Sequence, residues 1–221
     1  MTGTFSALHE GPTSAAIVRD VTALHFPDVA SVLDLTYGRG RFWRWDWRPR
    51  GLVLWGSDLH VAPPEADSQF MPLRWDFERV ALDRAEWHLF DLVIFDPPFS
   101  AMGPASKHGN AHSERYGAAR AMNGAPQNIV DVERMLGLGI VTATSLARHG
   151  VVVKTQAVIE SGLYHNSPHL ATLVLERSGF EIVDEVFFCP ARRPQPPERS
   201  VKHFRNRPSI FIVAKRLRKI L

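Results

Sequence analysis

The most pointed chemistry in this 221-residue chain is carried by Asp96-Pro97-Pro98-Phe99, which closes the apolar run FDLVIF at 90–95. Two consecutive prolines remove two backbone donors and stiffen the turn, so the Asp96 carboxylate and the neighbouring carbonyls become fixed acceptors at the end of a strand. An acceptor pair beside an exposed aromatic ring, Phe99, is the equipment needed to hold a planar group bearing an exocyclic NH2. The competing reading is structural: Asp96 caps its own turn and Phe99 belongs to the core. It is weakened because the motif falls on the strand expected beside a second constellation.

That second constellation is Asp34-Leu35-Thr36-Tyr37-Gly38-Arg39-Gly40, which follows the apolar run 31–35. Glycine lets the backbone turn sharply and approach a ligand where a side chain would block it. Asp58 stands twenty residues beyond Gly38, at the end of the run 51–57, where the carboxylate of a nucleoside-binding α/β fold accepts hydrogen bonds from ribose hydroxyls. The third glycine of the dinucleotide fingerprint is missing, since position 43 is Trp43. The cofactor should therefore contain a nucleoside but no pyrophosphate, which points to S-adenosylmethionine rather than a nicotinamide.

The elements that must position these residues are read from short, β-branched runs that are apolar on successive residues. They lie at 31–35, 51–57, 90–95, 150–155, 180–188 and 209–215, and the pattern is that of central strands buried on both faces. Helical patterns at 14–25, 128–148 and 168–178 alternate with them, the last stopped by Ser178-Gly179. The expectation is an α/β, Rossmann-like domain over 1–221, with helices on both faces of a mostly parallel sheet. No helix separates the final two runs, only the proline-rich stretch 190–208, so the last strand should be an antiparallel partner at one end of the sheet. RFWRWDWRP after Gly40 stops at Pro49, so any helix there must be short or absent. Trp43, Trp45 and Trp47 read as core packing rather than base-stacking platforms. Residues 100–126, with four glycines and two prolines, read as a long substrate-side loop.

Composition narrows the class. With 45% apolar and 22% charged residues the chain is neither disordered nor collagen-like, and its single cysteine, Cys189, excludes a disulfide scaffold. The first residues lack the basic start and apolar core of a signal peptide, and no apolar run approaches the roughly 20 residues that span a bilayer. A cytoplasmic protein with no membrane partner is expected. His60, His88 and His149 show no metal-ligand spacing, so no metal is expected. The net charge of +3 is uneven: residues 189–221 hold ten Lys/Arg against one acid, Glu198, giving +9 there and −6 elsewhere. Concentrated positive charge suits a polyanion, against the bland reading of a solvated tail.

With these residues in view, the chain resembles the amino-group DNA methyltransferases, the N6-adenine or N4-cytosine type whose signature is (D/N/S)-P-P-(Y/F/W), and particularly its small phage and prophage members. Asp34 to Gly40 resembles the family's D-P-F-x-G-x-G motif with Thr36 in place of Phe, a change that removes an apolar wall. The resemblance implies S-adenosylmethionine as cofactor, held by Gly11, Pro12 and Thr13, by Asp34, Thr36, Tyr37, Gly38 and Gly40, by Asp58 at the ribose, and by Asp76 and Phe77 at the adenine. Lys154-Thr155-Gln156 and Arg205 to Ser209 resemble late-strand segments of the same family. Asp96, Pro97, Pro98 and Phe99 would be catalytic, and an aspartate heading the motif leans towards adenine N6.

DNA contacts would fall to Lys107, Arg115 and Arg120 of the loop and to Arg192, Arg193, Lys202, Arg205 and Arg207 of a basic hairpin at 189–208. The target base would have to rotate out of its stack. The alternatives are methylation of an RNA base, at adenine N6 or guanine N2, or a catalytically inactive methyltransferase-like subunit that binds nucleic acid. No separate recognition lobe is visible, so sequence specificity is either short or supplied by another subunit, a second copy or a specificity partner.

Overall fold

The computed structural model describes residues 8–10, 13–58, 64–78, 89–99, 126, 128–160, 162–189 and 208–217. In chain order these form β1 (Leu8–Glu10), α1 (Ser14–His25), β2 (Ser31–Asp34), β3 (Val53–Ser57), β4 (Phe70–Leu73), β5 (Phe90–Phe95) and α2 (Ile129–Leu146). Then follow β6 (Ala147–Thr155), β7 (Val158–Glu160), β8 (Leu163–His165), α3 (Ser167–Arg177), β9 (Phe180–Cys189) and β10 (Ser209–Arg216). The 100–126 loop, apart from Pro126, and the 189–208 hairpin, apart from its two end residues, lie outside the described residues.

Eight strands form one sheet in the order β1-β9-β10-β6-β5-β2-β3-β4. All neighbours pair parallel except β10, which runs antiparallel to both β6 and β9. The last strand is thus antiparallel as expected, but it sits inside the sheet and not at one end. The physical reason lies in its side chains: Phe211, Ile212, Val213 and Ala214 are fully buried, and a strand that apolar is a liability at an open edge.

The expected alternation also appears in the core. Val32, Leu54, Leu92, Ile94, Val152 and Phe211 pack on one face beneath Ile17, Val18 and Val21 of α1. Leu33, Val93, Phe95, Val151, Val153 and Ile212 pack on the other with Leu136 and Ile140 of α2 and Leu175 of α3. Consecutive residues therefore serve opposite faces, which is why these strands read as unbroken apolar runs. Helix starts are fixed by Asn128 and Asn166, whose side chains accept from the Asp131 and His169 N–H groups. A Cβ at Gly139 would overlap the Phe95 ring, so the missing side chain lets α2 settle onto β5.

After the glycine turn there are only two short 3-10 turns, Arg41–Trp43 and Arg48–Arg50. Phe42, Trp43 and Trp47 are buried there and close the α1 face of the sheet in place of a longer helix. Three features were not expected: β1, β4 and the β7–β8 hairpin. β4 contains Pro72, which argues against a central strand; it is the outermost strand, paired only with β3, where a missing donor is tolerated. Strands β7 and β8 are three residues each, too short for periodicity to register. Among the described residues no helix is long and apolar enough to cross a membrane.

Candidate active site

Strand register brings the two constellations together. Asp34 is aligned with Ile94 of β5, and Ile94 with Val152 of β6. Because side chains repeat every second residue along a strand, the next position on the same face is Thr36, Asp96 and Lys154, side by side at the carboxyl edge. The contacts follow that row. The Asp96 N–H donates to Thr36 Oγ1 at 2.7 Å, and the Lys154 ammonium lies 3.1 Å from Asp96 Oδ2. The same row continues into β10, where Phe211 is aligned with Lys154.

Asp34 is held differently. It is buried, accepting from the Thr36 N–H at 3.0 Å through Oδ1 and from the Trp43 indole N–H at 2.8 Å through Oδ2. Burial pushes its carboxyl up to about 7, against the two hydrogen bonds that favour the ionised form, and the nearby Asp96 and Asp58 charges push it further the same way. Trp43, placed in the core from sequence, thus also anchors the start of the turn. Trp45 stacks on it, with ring centroids 6.2 Å apart.

Gly38 and Gly40 have φ of +54° and +64°, a conformation that favours glycine. The Gly38 N–H donates to Asp58 Oδ2 at 3.0 Å, so the carboxylate just after β3 reaches the turn after β2. Tyr37 lies between Gly40, Gly56 and Phe70; its ring is 5.1 Å from that of Phe70, and a Cβ at Gly56 would come within 2.8 Å of it. Tyr37 therefore supplies an apolar wall here, while Thr36 supplies a polar clamp on Asp96. Asp76 Oδ1 accepts from the Glu78 N–H, and Phe77 packs edge-on against Phe95 at 5.0 Å, its carbonyl accepting from the Thr142 hydroxyl. Thr13 immediately precedes α1. Gly11, Pro12, Lys107, Arg115, Arg120, Arg192, Arg193, Lys202, Arg205 and Arg207 lie outside the described residues.

Asp96 keeps 24% of its side chain exposed, and Pro97 behind it is buried. Burial pushes the Asp96 carboxyl upward, and the Lys154 ammonium, by charge and hydrogen bond, pulls it part of the way back. Lys154 itself is only 12% exposed and lies 5.3–5.7 Å from the ring centroids of Phe42, Phe99 and Phe211. The sequence reading gave this lysine no role in the site. Its signal was a single cation near the end of the apolar run GVVVKT, directly after the buried residues Val151, Val152 and Val153.

No protein-family model matches the chain, and no curated protein sequence matches it. Solved structures do resemble it. A glycopeptide N-methyltransferase, MtfA, solved with S-adenosylmethionine, aligns over 98% of this chain and 100% of its own at 12% identity, with a TM-score of 0.51. The methyltransferase subunit of a type I restriction-modification system from Streptococcus thermophilus aligns over 95% of this chain at 16% identity and a TM-score of 0.51. This chain spans 45% of that subunit. What the chain shares with both is architecture: it has the Rossmann-like fold of S-adenosylmethionine-dependent methyltransferases.

Proposed function

We propose that this protein transfers a methyl group from S-adenosylmethionine to an exocyclic amino group of nucleic acid, with adenine N6 in DNA as the target. The observation that carries the reading is the Thr36–Asp96 hydrogen bond at 2.7 Å, which ties the glycine turn to the acceptor motif at one sheet edge. The open edge beyond the strand ends is where ligands of parallel α/β sheets bind.

The residues present suit that cofactor. Asp58 offers a carboxylate to ribose hydroxyls beside a glycine whose added Cβ would meet nothing closer than 3.8 Å. Asp34, Asp58 and Asp96 place three carboxyls around one turn, close enough to raise the Asp34 carboxyl, and Lys154 offsets one of them. A site of that polarity favours a cationic ligand. When bound, the cofactor supplies an electrophilic methyl on a sulfonium.

The chain's own residues would then act on the nucleophile. An adenine N6 lone pair is delocalised into its ring and attacks poorly. Asp96 and the Pro97 carbonyl would accept its two N–H bonds and draw the nitrogen out of that planar arrangement. As the nitrogen–methyl bond formed and the sulfur–methyl bond broke, leaving a neutral thioether, positive charge would grow on nitrogen; the Asp96 carboxylate would meet that charge, and its hydrogen bonds would strengthen in the transition state. Afterwards one N–H proton leaves to solvent. Phe99 would stack on the base, offsetting the few kcal/mol that extrusion costs, and Thr36 would hold Asp96 at its distance from the methyl donor. The stretch 190–208 between β9 and β10, with six Lys/Arg against Glu198, carries charge that suits a polyanion, whereas Lys215 and Arg216 lie at the other end of β10 and Arg216 donates to the Thr144 and Ala147 carbonyls.

The test is incubation with labelled S-adenosylmethionine and unmethylated DNA or RNA, followed by nucleoside mass spectrometry. N6-methyladenine from DNA is expected. Label found in RNA alone would move the substrate to RNA. The cofactor should also raise the melting temperature by mass action, and Asp58→Ala should largely abolish that shift. A wild-type protein unmoved by millimolar cofactor would end the methyltransferase reading.

A further inference from the structure

Lys154 is a second polar group in the same row, and pairing with Asp96 accounts for only part of its surroundings. Its ammonium is drawn out of water into a setting of three aromatic rings and one carboxylate. Rings and a carboxylate can hold an ammonium in place, but desolvating a charge beside a reacting centre costs free energy that a neutral side chain would not. Its strand neighbours Val151, Val152 and Val153 are buried and apolar, so the fold by itself would be served by another apolar residue. The position is therefore informative about the ligand.

We propose, resting on the function argued above, that Lys154 is a specificity-determining residue: it donates to a ring nitrogen adjacent to the amino group that Asp96 accepts. Three features on the page carry this. First, the ion pair sets one acceptor and one donor side by side, 3.1 Å apart. An amine next to a ring-nitrogen acceptor, as on adenine N6 with N1 or N7, presents the complementary order of donor and acceptor. Second, a carboxylate has roughly four acceptor positions and an ammonium three donors, so the bond between them leaves capacity on both for a substrate edge. Third, Phe99 lies 5.7 Å from the Lys154 ammonium, so a base stacked on Phe99 would bring its edge to the pair. The pair is also neutral overall, which favours an uncharged aromatic amine over an alkylammonium such as a lysine side chain.

The experiment compares DNA substrates in which adenine is replaced by 1-deazaadenine or 7-deazaadenine, each of which keeps the amine and loses one neighbouring ring nitrogen. In the wild-type protein one of the two should lose kcat/KM by about 100-fold or more, as sites built to hydrogen-bond a group reject analogues lacking it. In Lys154→Met that penalty should vanish, because adenine and the analogue then bind an equally mute partner. Lys154→Gln, which keeps a donor, should retain part of it and serves as the variant if Lys154→Met does not fold. A lysine that only supports Asp96 would slow all three substrates equally and leave the ratio intact. Wild-type protein indifferent to both analogues, or a penalty unchanged in the variants, overturns the role of Lys154 and leaves the methyltransferase reading standing. Failure of wild-type protein to methylate ordinary adenine at all overturns that reading and this inference with it.

Discussion

Two aspartates end neighbouring strands of the same sheet edge, and their surroundings differ. Asp34, the last residue of β2, is buried with both oxygens occupied by donors of the following loop, the Thr36 N–H and the Trp43 indole. Asp96, after β5, is fixed through its backbone N–H to Thr36, while its carboxylate stays partly exposed and meets a single ammonium. In the first turn the side chain is spent on shaping the loop; in the second the backbone does the shaping and leaves the carboxylate partly exposed, as the proposed acceptor role requires. The residue type is the same. What separates the roles is which atom of the aspartate the fold consumes.

Asp96→Ala tests the chemical half of this contrast and should have the largest effect. Methyl transfer should fall on the order of 10²–10³-fold or more, the scale for losing one group preorganised against developing charge. The cofactor-induced rise in melting temperature should survive, since the carboxylate acts on the substrate amine. Near-normal turnover would make the motif after β5 structural and dissolve the contrast.

Asp34→Ala tests the other half and should act on stability. It leaves the Trp43 indole N–H and the Thr36 N–H without their acceptor, each at about 1–3 kcal/mol if it stays dry. A large drop in melting temperature with loss of cofactor binding is expected. The pH dependence sharpens the point. The Asp34 carboxyl is raised to about 7 in the folded chain, so the folded state binds that proton more tightly than the unfolded chain. Its contribution to stability is full below the ordinary carboxylate range, declines above it, and is lost as pH rises through about 7. Asp67, lowered to about 2 through Arg48, acts in the opposite sense but only in the acid range. The melting temperature without cofactor should therefore fall between about pH 4 and pH 7 and level off above that, and Asp34→Asn should flatten that slope. A flat wild-type profile would mean that Asp34 is ionised throughout.

The sequence made the strands legible for one reason: the middles of β2, β5 and β6 are buried on both faces, as at Val32–Leu33, Leu92–Phe95 and Val151–Val153, so successive positions there are apolar and the runs stand out. The Asp96 motif was legible because Pro97 and Pro98 mark a turn by chemistry alone. β4 was hidden by Pro72, which argues against a strand until its outermost place in the sheet is known. Lys154 was hidden for a deeper reason. A lysine near the end of an apolar run carries no sign of its partner in its spacing, and only register shows that it shares a row with Asp96, 58 residues earlier. Thr36 was legible only as a departure from a family pattern, a lost apolar wall; the bond it makes spans β2 and β5, and no local rule reports a contact of that kind.

Thr36 also joins the two turns, and Thr36→Val is the mildest and most discriminating way to break the comparison. Valine keeps the branched shape and the backbone N–H that donates to Asp34, so the first turn should persist. What disappears is the oxygen that receives the Asp96 N–H. That N–H must then find water or remain unpaired, at about 1–3 kcal/mol, and the easiest relief is a small shift of the Asp96 turn away from β2. A displacement of an ångström or less between nucleophile and methyl is costly to rate and nearly neutral to ground-state binding. The expected result is kcat lower by about tenfold, with cofactor affinity essentially unchanged and only a modest loss of melting temperature. Thr36→Ser restores the oxygen and should recover most of the turnover. Equal loss in both variants would mean that restoring the oxygen does not restore turnover, and would overturn the claim that backbone anchoring through Thr36 is what frees the Asp96 side chain.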